Sequence, residues 1–197
     1  PPFIATLAMM EIVYGIGLIV TNATPLGGYV EAYTNVANKK FLGINYLIWI
    51  AIIVAAITWF IFNMTRHGKY MYAIGGNPQA AEVAGVPVKA TMILIYMKAA
   101  AMYGLAGFML GAKAGGASVN LGYGYEMEAI AACTIGGVSV TGGRGKVSSA
   151  IIGVAVFELL KAALQYLGVD ANAQYIAIGI VIFVAISLDI RKYVAKK

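Results

Sequence analysis

Long apolar segments separated by polar connections make up most of the sequence. A bilayer core about 30 Å thick is crossed by a helix of roughly 20 residues, and five of the segments have nearly that length. The pattern predicts an all-α, polytopic integral membrane protein with about six transmembrane segments. The predicted segments are residues 3–20, 45–64, 90–112, 125–138, 147–167 and 174–190.

The fourth segment, residues 125–138, is too short to cross a bilayer as a simple helix. It has 14 residues, fewer than the roughly 20 that a crossing requires. Either it gains length from residues 121–124, or it is a broken helix buried by its neighbours, because irregular backbone does not face lipid. Its short span also makes it a candidate for lining a transport pathway.

The composition and charge exclude other classes of protein. The chain is 61% hydrophobic and 11% charged, and a water-soluble domain could not hide so much apolar surface in its core. The net charge of +6 does not indicate nucleic-acid binding, because most basic residues stand at the ends of apolar segments rather than in a continuous patch.

The distribution of Lys and Arg predicts that both ends of the chain are cytoplasmic. With residues 65–89 inside and six crossings, nine basic residues fall on the cytoplasmic side and two, Lys39 and Lys40, fall outside. A re-entrant fourth segment would put the basic C-terminal residues outside, so we count that segment as a crossing. The nine are Arg66, Lys69, Lys89, Arg144, Lys146, Arg191, Lys192, Lys196 and Lys197.

The polar stretch of residues 69–89 is predicted to contain a short helix with a marked beginning and end. Asn77 is a suitable N-cap, and Pro78 suits the first helical position. Gly85 can end the helix in a left-handed conformation before Pro87 prevents its continuation. A helix of about two turns is not stable alone in water. We therefore expect this one to dock against a surface.

The glycine-rich stretches do not form nucleotide sites. Residues 142–147, GGRGKV, lack the first glycine of a P-loop because Val140 stands there, and Val147 replaces the metal-binding Ser or Thr. In residues 122–127, GYGYEM, Met127 stands where a dinucleotide fingerprint needs glycine. We expect no cofactor on this chain, and any nucleotide that the system uses should bind another chain.

Glycines also recur within the third segment, at Gly104, Gly107 and Gly111. They form a smooth stripe on one helix face that a neighbouring backbone can approach closely. The stripe serves either ordinary helix packing or the moving wall of a pathway.

Charged residues inside the apolar segments are costly in a bilayer and therefore informative. Glu158 and Lys161 lie three residues apart in the fifth segment and are predicted to pair on one helix face. Lys98 lies deep in the third segment and needs a partner. Glu11, in the middle of the first segment, is the candidate.

Three stretches together carry a resemblance to a known family: YAIGGNPQAAEVAGVPVK at 72–89, GYGYEMEAIAACTIGGVSVTGGRGKV at 122–147 and YLGVDANAQYIAIGIVIFVAISLD at 166–189. The sequence resembles the permease subunits of bacterial ATP-binding-cassette sugar importers, in the branch that takes ribose, xylose and galactosides. The resemblance spans all 197 residues. Family members begin well before Pro1, so residues 1–197 are expected to be a single transmembrane domain, the C-terminal part of a longer permease.

The resemblance implies sugar import driven by ATP, which a separate ATPase subunit binds with Mg²⁺ and hydrolyses. It also implies a periplasmic or lipoprotein sugar-binding protein, a second permease subunit and a multi-pass location in the bacterial inner membrane. The ATPase-coupling helix of such permeases maps to residues 77–86, with Glu82 as the charged contact and Gly85 as the tight turn. The residues of this helix are Asn77, Pro78, Gln79, Ala80, Ala81, Glu82, Val83, Ala84, Gly85 and Val86.

Candidate pathway residues are the charged side chains Glu11, Lys98, Glu126 and Glu128. Glu126 and Glu128 mark the outer end of the fourth segment, where a carboxylate either accepts hydrogen bonds from sugar hydroxyls or sits in interfacial water. His67, beside two basic residues at a membrane boundary, is interpreted as a solvated flank. The sequence has no Ser/His/Asp set, no paired catalytic acids and no metal-ligand spacing. Neither catalysis nor a metal site is therefore expected.

An ion-coupled secondary transporter of a small solute is the alternative interpretation, and Glu11 and Lys98 are its candidates for ion coupling. An intramembrane enzyme would need a catalytic constellation that the sequence lacks. A purely structural membrane subunit would explain the glycines but not the capped cytoplasmic helix.

Overall fold

The computed structural model describes residues 2–194, with side chains for residues 4–170 and 172–187, and this part of the chain is mostly helical. Each of the six predicted apolar segments coincides with a helix. Lys196 and Lys197, two of the residues predicted to be cytoplasmic, lie outside the described residues. The elements are α1 (Pro2–Thr21), β1 (Leu26–Gly27), α2 (Glu31–Asn38), β2 (Lys40–Phe41), β3 (Ile44–Asn45), α3 (Tyr46–Met64), α4 (Arg66–Gly76), α5 (Pro78–Val83), α6 (Val88–Ala114), β4 (Gly116–Ala117), α7 (Tyr125–Ile135), α8 (Val147–Tyr166) and α9 (Ala171–Val194).

Within the described residues, four helices, α1, α3, α6 and α8, are long and apolar enough to cross a membrane by length and composition. Within α9, residues 172–187 form a shorter apolar stretch. Large apolar side chains project from these helices, such as Ile19 at 79% exposure and Phe183 at 74%. Surfaces of this kind are covered by lipid in membrane proteins. The helical prediction is confirmed, and the four helices indicate a multi-pass membrane protein.

The fourth predicted segment forms the short helix α7, of 11 residues. Gly124 precedes it with φ 87°, in the left-handed region, so residues 121–124 turn instead of extending the helix. The expectation that the segment gains length there is wrong. Ala131, Ala132 and Thr134 on α7 are buried, whereas its first three residues are exposed. The burial that the other alternative expects, a broken helix buried by its neighbours, is therefore present only in the second half of α7.

The chain divides into two compact units, and the boundaries between them fall within α3 and α6 and just before α7. Unit 1 comprises the described residues of 1–51 and 100–123, and unit 2 those of 52–99 and 124–197. The expectation of a single transmembrane domain stays a prediction.

Unit 1 is held by short sheets and by tyrosines. Strand β1 pairs with β4 in antiparallel register, and β2 pairs with β3 in a hairpin. The Tyr33 hydroxyl on α2 donates to the Phe108 carbonyl on α6 at 2.6 Å, and its ring packs edge-on against the Phe108 ring. A β-carbon on Gly111 would meet the Tyr33 hydroxyl at 2.6 Å. At Gly111 the group that approaches the glycine stripe is therefore the Tyr33 side chain, whereas the sequence analysis expected the backbone of a neighbouring helix.

Unit 2 has a small core formed by α7, α8 and α9. Phe157 on α8, at 1% exposure, packs with Ala131 and Ala132 of α7 and with Ile178 of α9. The two alanines let α8 approach α7 closely, because they present only a methyl group. The core is therefore one aromatic ring enclosed by small and branched side chains.

Glycines set the closest approach of α7 and α8. A β-carbon on Gly136, which follows α7, would overlap the carbonyl oxygen of Ser149 on α8. A β-carbon on Gly153 of α8 would overlap the carbonyl oxygen of Ala132 on α7. The two helices therefore touch backbone to backbone, as small residues allow in membrane helix pairs.

We expect Phe157→Ala to lower the free energy of unfolding by about 3 kcal/mol, because the missing ring leaves a cavity that small neighbours cannot fill. Phe183→Ala, which removes an exposed ring from α9, is the control and should cost less than about 1 kcal/mol. Denaturant unfolding of both variants in the same detergent measures the difference. Equal losses would show that Phe157 is not the centre of the core.

Candidate functional site

Residues 65–89 hold two helices where the sequence analysis predicted one. Helix α4 begins directly after α3, with Thr65 as its N-cap. The Thr65 hydroxyl accepts a hydrogen bond from the Gly68 N–H at 3.1 Å and donates to the Ile61 carbonyl at 2.6 Å. A threonine just after an apolar segment is a recognised N-cap signal, and it was missed.

The start of α5 follows the sequence prediction. Asn77 closes α4 and begins α5, with its side-chain oxygen accepting from the Ala80 N–H at 3.0 Å. Pro78 occupies the first helical turn, where its missing N–H costs nothing. Because one residue caps both helices, α4 and α5 are joined with no flexible linker.

The end of α5 also follows the prediction. Gly85 has φ 82°, the left-handed conformation that glycine adopts without steric cost. The Gly85 N–H donates to the Glu82 carbonyl and the Val86 N–H to the Ala81 carbonyl, both at 3.0 Å. These two bonds form a Schellman motif, so the helix ends where the sequence indicated.

Helix α5 is exposed on all sides but one. Ala81 is buried, whereas Gln79, Glu82 and Val83 are exposed, Val83 to 91%. An apolar side chain and a carboxylate thus stand side by side on a short capped helix. Such a surface suits a protein partner better than water.

The loop between α7 and α8, residues 136–146, touches the end of α4. A β-carbon on Gly75 would overlap the Gly143 backbone nitrogen, and one on Gly143 would lie 2.7 Å from the Gly76 nitrogen. The Tyr72 hydroxyl donates to the Gly145 carbonyl at 2.8 Å. We call this set the glycine contact. The GGRGKV glycines that fail as a P-loop serve here to bring two backbones together.

A charged cluster links α7 to α8. Lys161 Nζ lies 2.7 Å from Glu128 Oε2 and 3.7 Å from Glu158 Oε1. The predicted pairing of Glu158 with Lys161 is present, but the shorter contact is with Glu128, 33 residues earlier in the chain. The side chains of Lys161 and Glu128 are 28% and 21% exposed. A charge-assisted bond this short offsets much of the cost of placing Lys161 in an apolar helix.

The other candidate pathway residues lie apart from this cluster. Glu126 is exposed in the first turn of α7, where a carboxylate is favoured by the helix dipole. Glu11 is exposed on α1 in unit 1, and Lys98 is half-buried on α6 in unit 2. The pairing of Glu11 with Lys98 stays a prediction.

His67 differs from its expected role as a solvated flank. Its Nε2 atom is buried and makes no hydrogen bond within the described part of the chain. Burial, and then the positive charge of Lys98, lower the pKa of His67 below its ordinary value of 6.5. The surroundings of His67 therefore disfavour its protonated form.

Comparison with known proteins decides the family. The model of the family described as the branched-chain amino acid transport system, permease component, matches residues 1–186. The chain belongs to this permease family. No solved structure matches it.

Named relatives of this permease are sugar import permeases. The galactose/methyl galactoside import permease proteins of Haemophilus influenzae and Escherichia coli are each 40% identical over the whole chain. The ribose import permease protein of Bacillus subtilis is 37% identical over 97% of the chain. The chain spans 60% of the length of each of these relatives. These similarities confirm the resemblance seen in the sequence.

Two tertiary features of this permease, the glycine contact and the pairing of Glu128 with Lys161, were not predicted from the sequence. The glycine pairs at 75–76 and 142–143 were visible as sequence, but nothing in the sequence says that they meet. For Glu128, the unusual position of Lys161 in an apolar segment signalled that a partner must exist, without naming it.

We expect Glu128→Gln to lower the free energy of unfolding of this permease by about 2 kcal/mol, because it leaves Lys161 with only the more distant Glu158. Glu126→Gln removes an exposed carboxylate from the same helical turn and is the matched control. Denaturant unfolding in detergent, with a double-mutant cycle through Lys161→Met, isolates the pair. Identical losses for Glu126→Gln and Glu128→Gln would contradict the assigned pairing.

The lowered pKa of His67 predicts a pH dependence of stability. Below its ordinary value of 6.5 the unfolded side chain binds a proton that the folded one resists, so the free energy of unfolding falls as the pH drops. Thermal unfolding at about pH 7.5 and about pH 5 should show a larger loss for the wild type than for His67→Gln. The same loss in both would mean that His67 is solvated.

Proposed function

We propose that this chain forms the membrane-spanning part of the permease subunit of an ATP-driven sugar importer, translocating galactose, a methyl galactoside or a related monosaccharide into the cytoplasm. The observation that carries the proposal is α5, a helix capped at both ends, exposed on nearly every side and set between two candidate membrane spans. The similarity to galactose/methyl galactoside and ribose import permeases supports the sugar substrate.

The proposed topology has six crossings with both ends cytoplasmic. The four long apolar helices supply four of them, and α7 and α9 supply the others. The excess of Lys and Arg in stretches assigned to the cytoplasm supports this orientation. The bacterial inner membrane is the proposed location, with lipid covering the exposed apolar side chains.

Helix α5 is the proposed site of coupling to a separate ATPase subunit, which would bind ATP with Mg²⁺. Val83 is apolar and 91% exposed, so a cleft that covers it would gain from burial. Glu82 beside it would meet a basic group of the ATPase. Residues 77–86 thus present one apolar and one charged contact on a helix whose ends are fixed by their own caps.

The remaining partners follow from the same proposal. A periplasmic or lipoprotein sugar-binding protein would deliver the sugar from outside, and a second permease subunit, most simply another copy, would complete the path. Glu11, Lys98 and Glu126 remain the candidate pathway residues. Glu128 is engaged by Lys161 at 2.7 Å, so it would reach a sugar only if that pair opened.

The proposed mechanism is a shift between two access states. Closing of the ATPase pair on ATP would displace α5, and the attached helices would tilt from one state to the other. Asn77 is both the last cap of α4 and the first cap of α5. A displacement of α5 would therefore also move the end of α4.

Reconstitution tests this proposal. The complete permease, its ATPase and its binding protein are placed in proteoliposomes, and uptake of labelled galactose is measured with ATP. We expect Glu82→Arg and Gly85→Val each to reduce uptake by about tenfold or more, because one repels the basic contact and the other strains a left-handed residue. Gly43→Val, a left-handed glycine with nothing within 4 Å, is the control for backbone strain.

Three outcomes would count against the proposal. Uptake that needs an ion gradient and not ATP would favour a secondary transporter. Uptake of leucine in preference to galactose and ribose would contradict the sugar substrate. Unchanged uptake in both α5 variants would refute the coupling role of residues 77–86.

A further inference from the structure

The glycine contact joins the end of α4, next to α5, to the loop before α8, and its closest approach is between backbones. Gly75 at the end of α4 and Gly143 in the loop lie so close that a methyl group on either would overlap the backbone of the other segment. A β-carbon on Gly142 would lie 2.9 Å from the Gly75 carbonyl. Backbone contacts have no rotamers through which they can yield, so a displacement of α4 must displace the loop.

The loop between α7 and α8 is closed on itself by contacts near both of its ends. The Ser139 N–H donates to the Arg144 carbonyl at 3.1 Å, and a β-carbon on Gly145 would lie 3.0 Å from Val138. At the start of α8, the Lys146 N–H donates to the Ser149 hydroxyl at 3.3 Å. The loop is therefore a compact turn between α7 and α8.

Helices α7 and α8 are in contact at two places. Gly136 and Gly153 hold their backbones in contact, and Lys161 pairs with Glu128 farther along. A push on the loop thus moves the pair as one body.

We propose that the glycine contact transmits the movement of α5 to the α7–α8 pair, with Gly75, Gly143 and Tyr72 as positioning residues for transport. This inference rests on the proposed function. Tyr72 fixes the orientation of the contact, because its hydroxyl holds the Gly145 carbonyl while its ring packs against Phe62 at the end of α3.

Two neighbouring glycines provide a matched pair of variants. A β-carbon on Gly75 would overlap the Gly143 nitrogen, whereas one on Gly76 would meet nothing within 4 Å. Both lie at the end of α4, and neither has a left-handed φ, so alanine is compatible with the backbone at each. Gly75→Ala therefore tests the contact, and Gly76→Ala is its control.

Tyr72→Phe is the milder third variant, since it removes the bond to Gly145 and keeps the ring. The complete permease with its ATPase and binding protein is reconstituted, and sugar uptake and ATP hydrolysis are measured on the same vesicles. The readout is sugar moved per ATP hydrolysed. We expect it to fall about tenfold in Gly75→Ala and about threefold in Tyr72→Phe, with Gly76→Ala like the wild type.

The ratio separates transmission from a merely structural role, which would lower uptake and hydrolysis in proportion. An unchanged ratio in Gly75→Ala and Tyr72→Phe overturns the inference. If Gly75→Ala fails to reach the membrane, the ratio for Tyr72→Phe decides alone. A wild-type complex without ATP-dependent uptake refutes the proposed function instead, so the two failures are distinguishable.

Discussion

The helices of unit 2 are positioned by glycines that let backbone touch backbone. Apolar side chains gain little by leaving lipid for one another, and among the described residues the core of the unit is accordingly a buried phenylalanine with alanine and isoleucine neighbours. Helices α4, α7 and α8 and the loop before α8 are held in place by backbone contacts at glycines, which have no side chain to keep the backbones apart. Gly136 and Gly153 fix α7 against α8, and Gly75 and Gly143 fix α4 against the loop before α8. A methyl group at any of these four positions would overlap a neighbouring backbone. The arrangement therefore depends on glycine at these positions more than on the burial of large side chains.

The electrostatics of the unit follow from that geometry. Lys161 lies eight residues beyond Gly153, about 12 Å along α8, and the glycine crossing brings α7 close enough for Glu128 to reach it at 2.7 Å. An unpaired lysine in an apolar helix would be costly. The carboxylate also sits in the first turn of α7, where the helix dipole favours it. The close approach of α7 and α8 at their glycines and the ion pair between Lys161 and Glu128 therefore stabilise the same helix pair.

Helix α5 differs from these contacts, because its ends are set by its own residues. Asn77 begins α5, Gly85 ends it, and the exposed Glu82 and Val83 lie between them. A helix so short has little stability of its own, and here the caps and the attachment to α4 hold it. It can therefore present a surface to a partner without being buried in the permease itself.

The long apolar helices and the caps of α5 could be predicted from the sequence, because apolar length and N-cap or glycine chemistry act between residues a few positions apart. The six apolar segments, the Asn77 cap and the left-handed Gly85 are the examples. Helix α4 was not predicted, although Thr65 gave a local signal for its start. The contact of Gly75 with Gly143, and the closer pairing of Lys161 with Glu128 than with Glu158, became visible in the folded chain. A glycine has no side chain whose chemistry would indicate which residue it contacts. A charged residue in an apolar segment indicates that a partner exists, but the partner can lie anywhere in the chain.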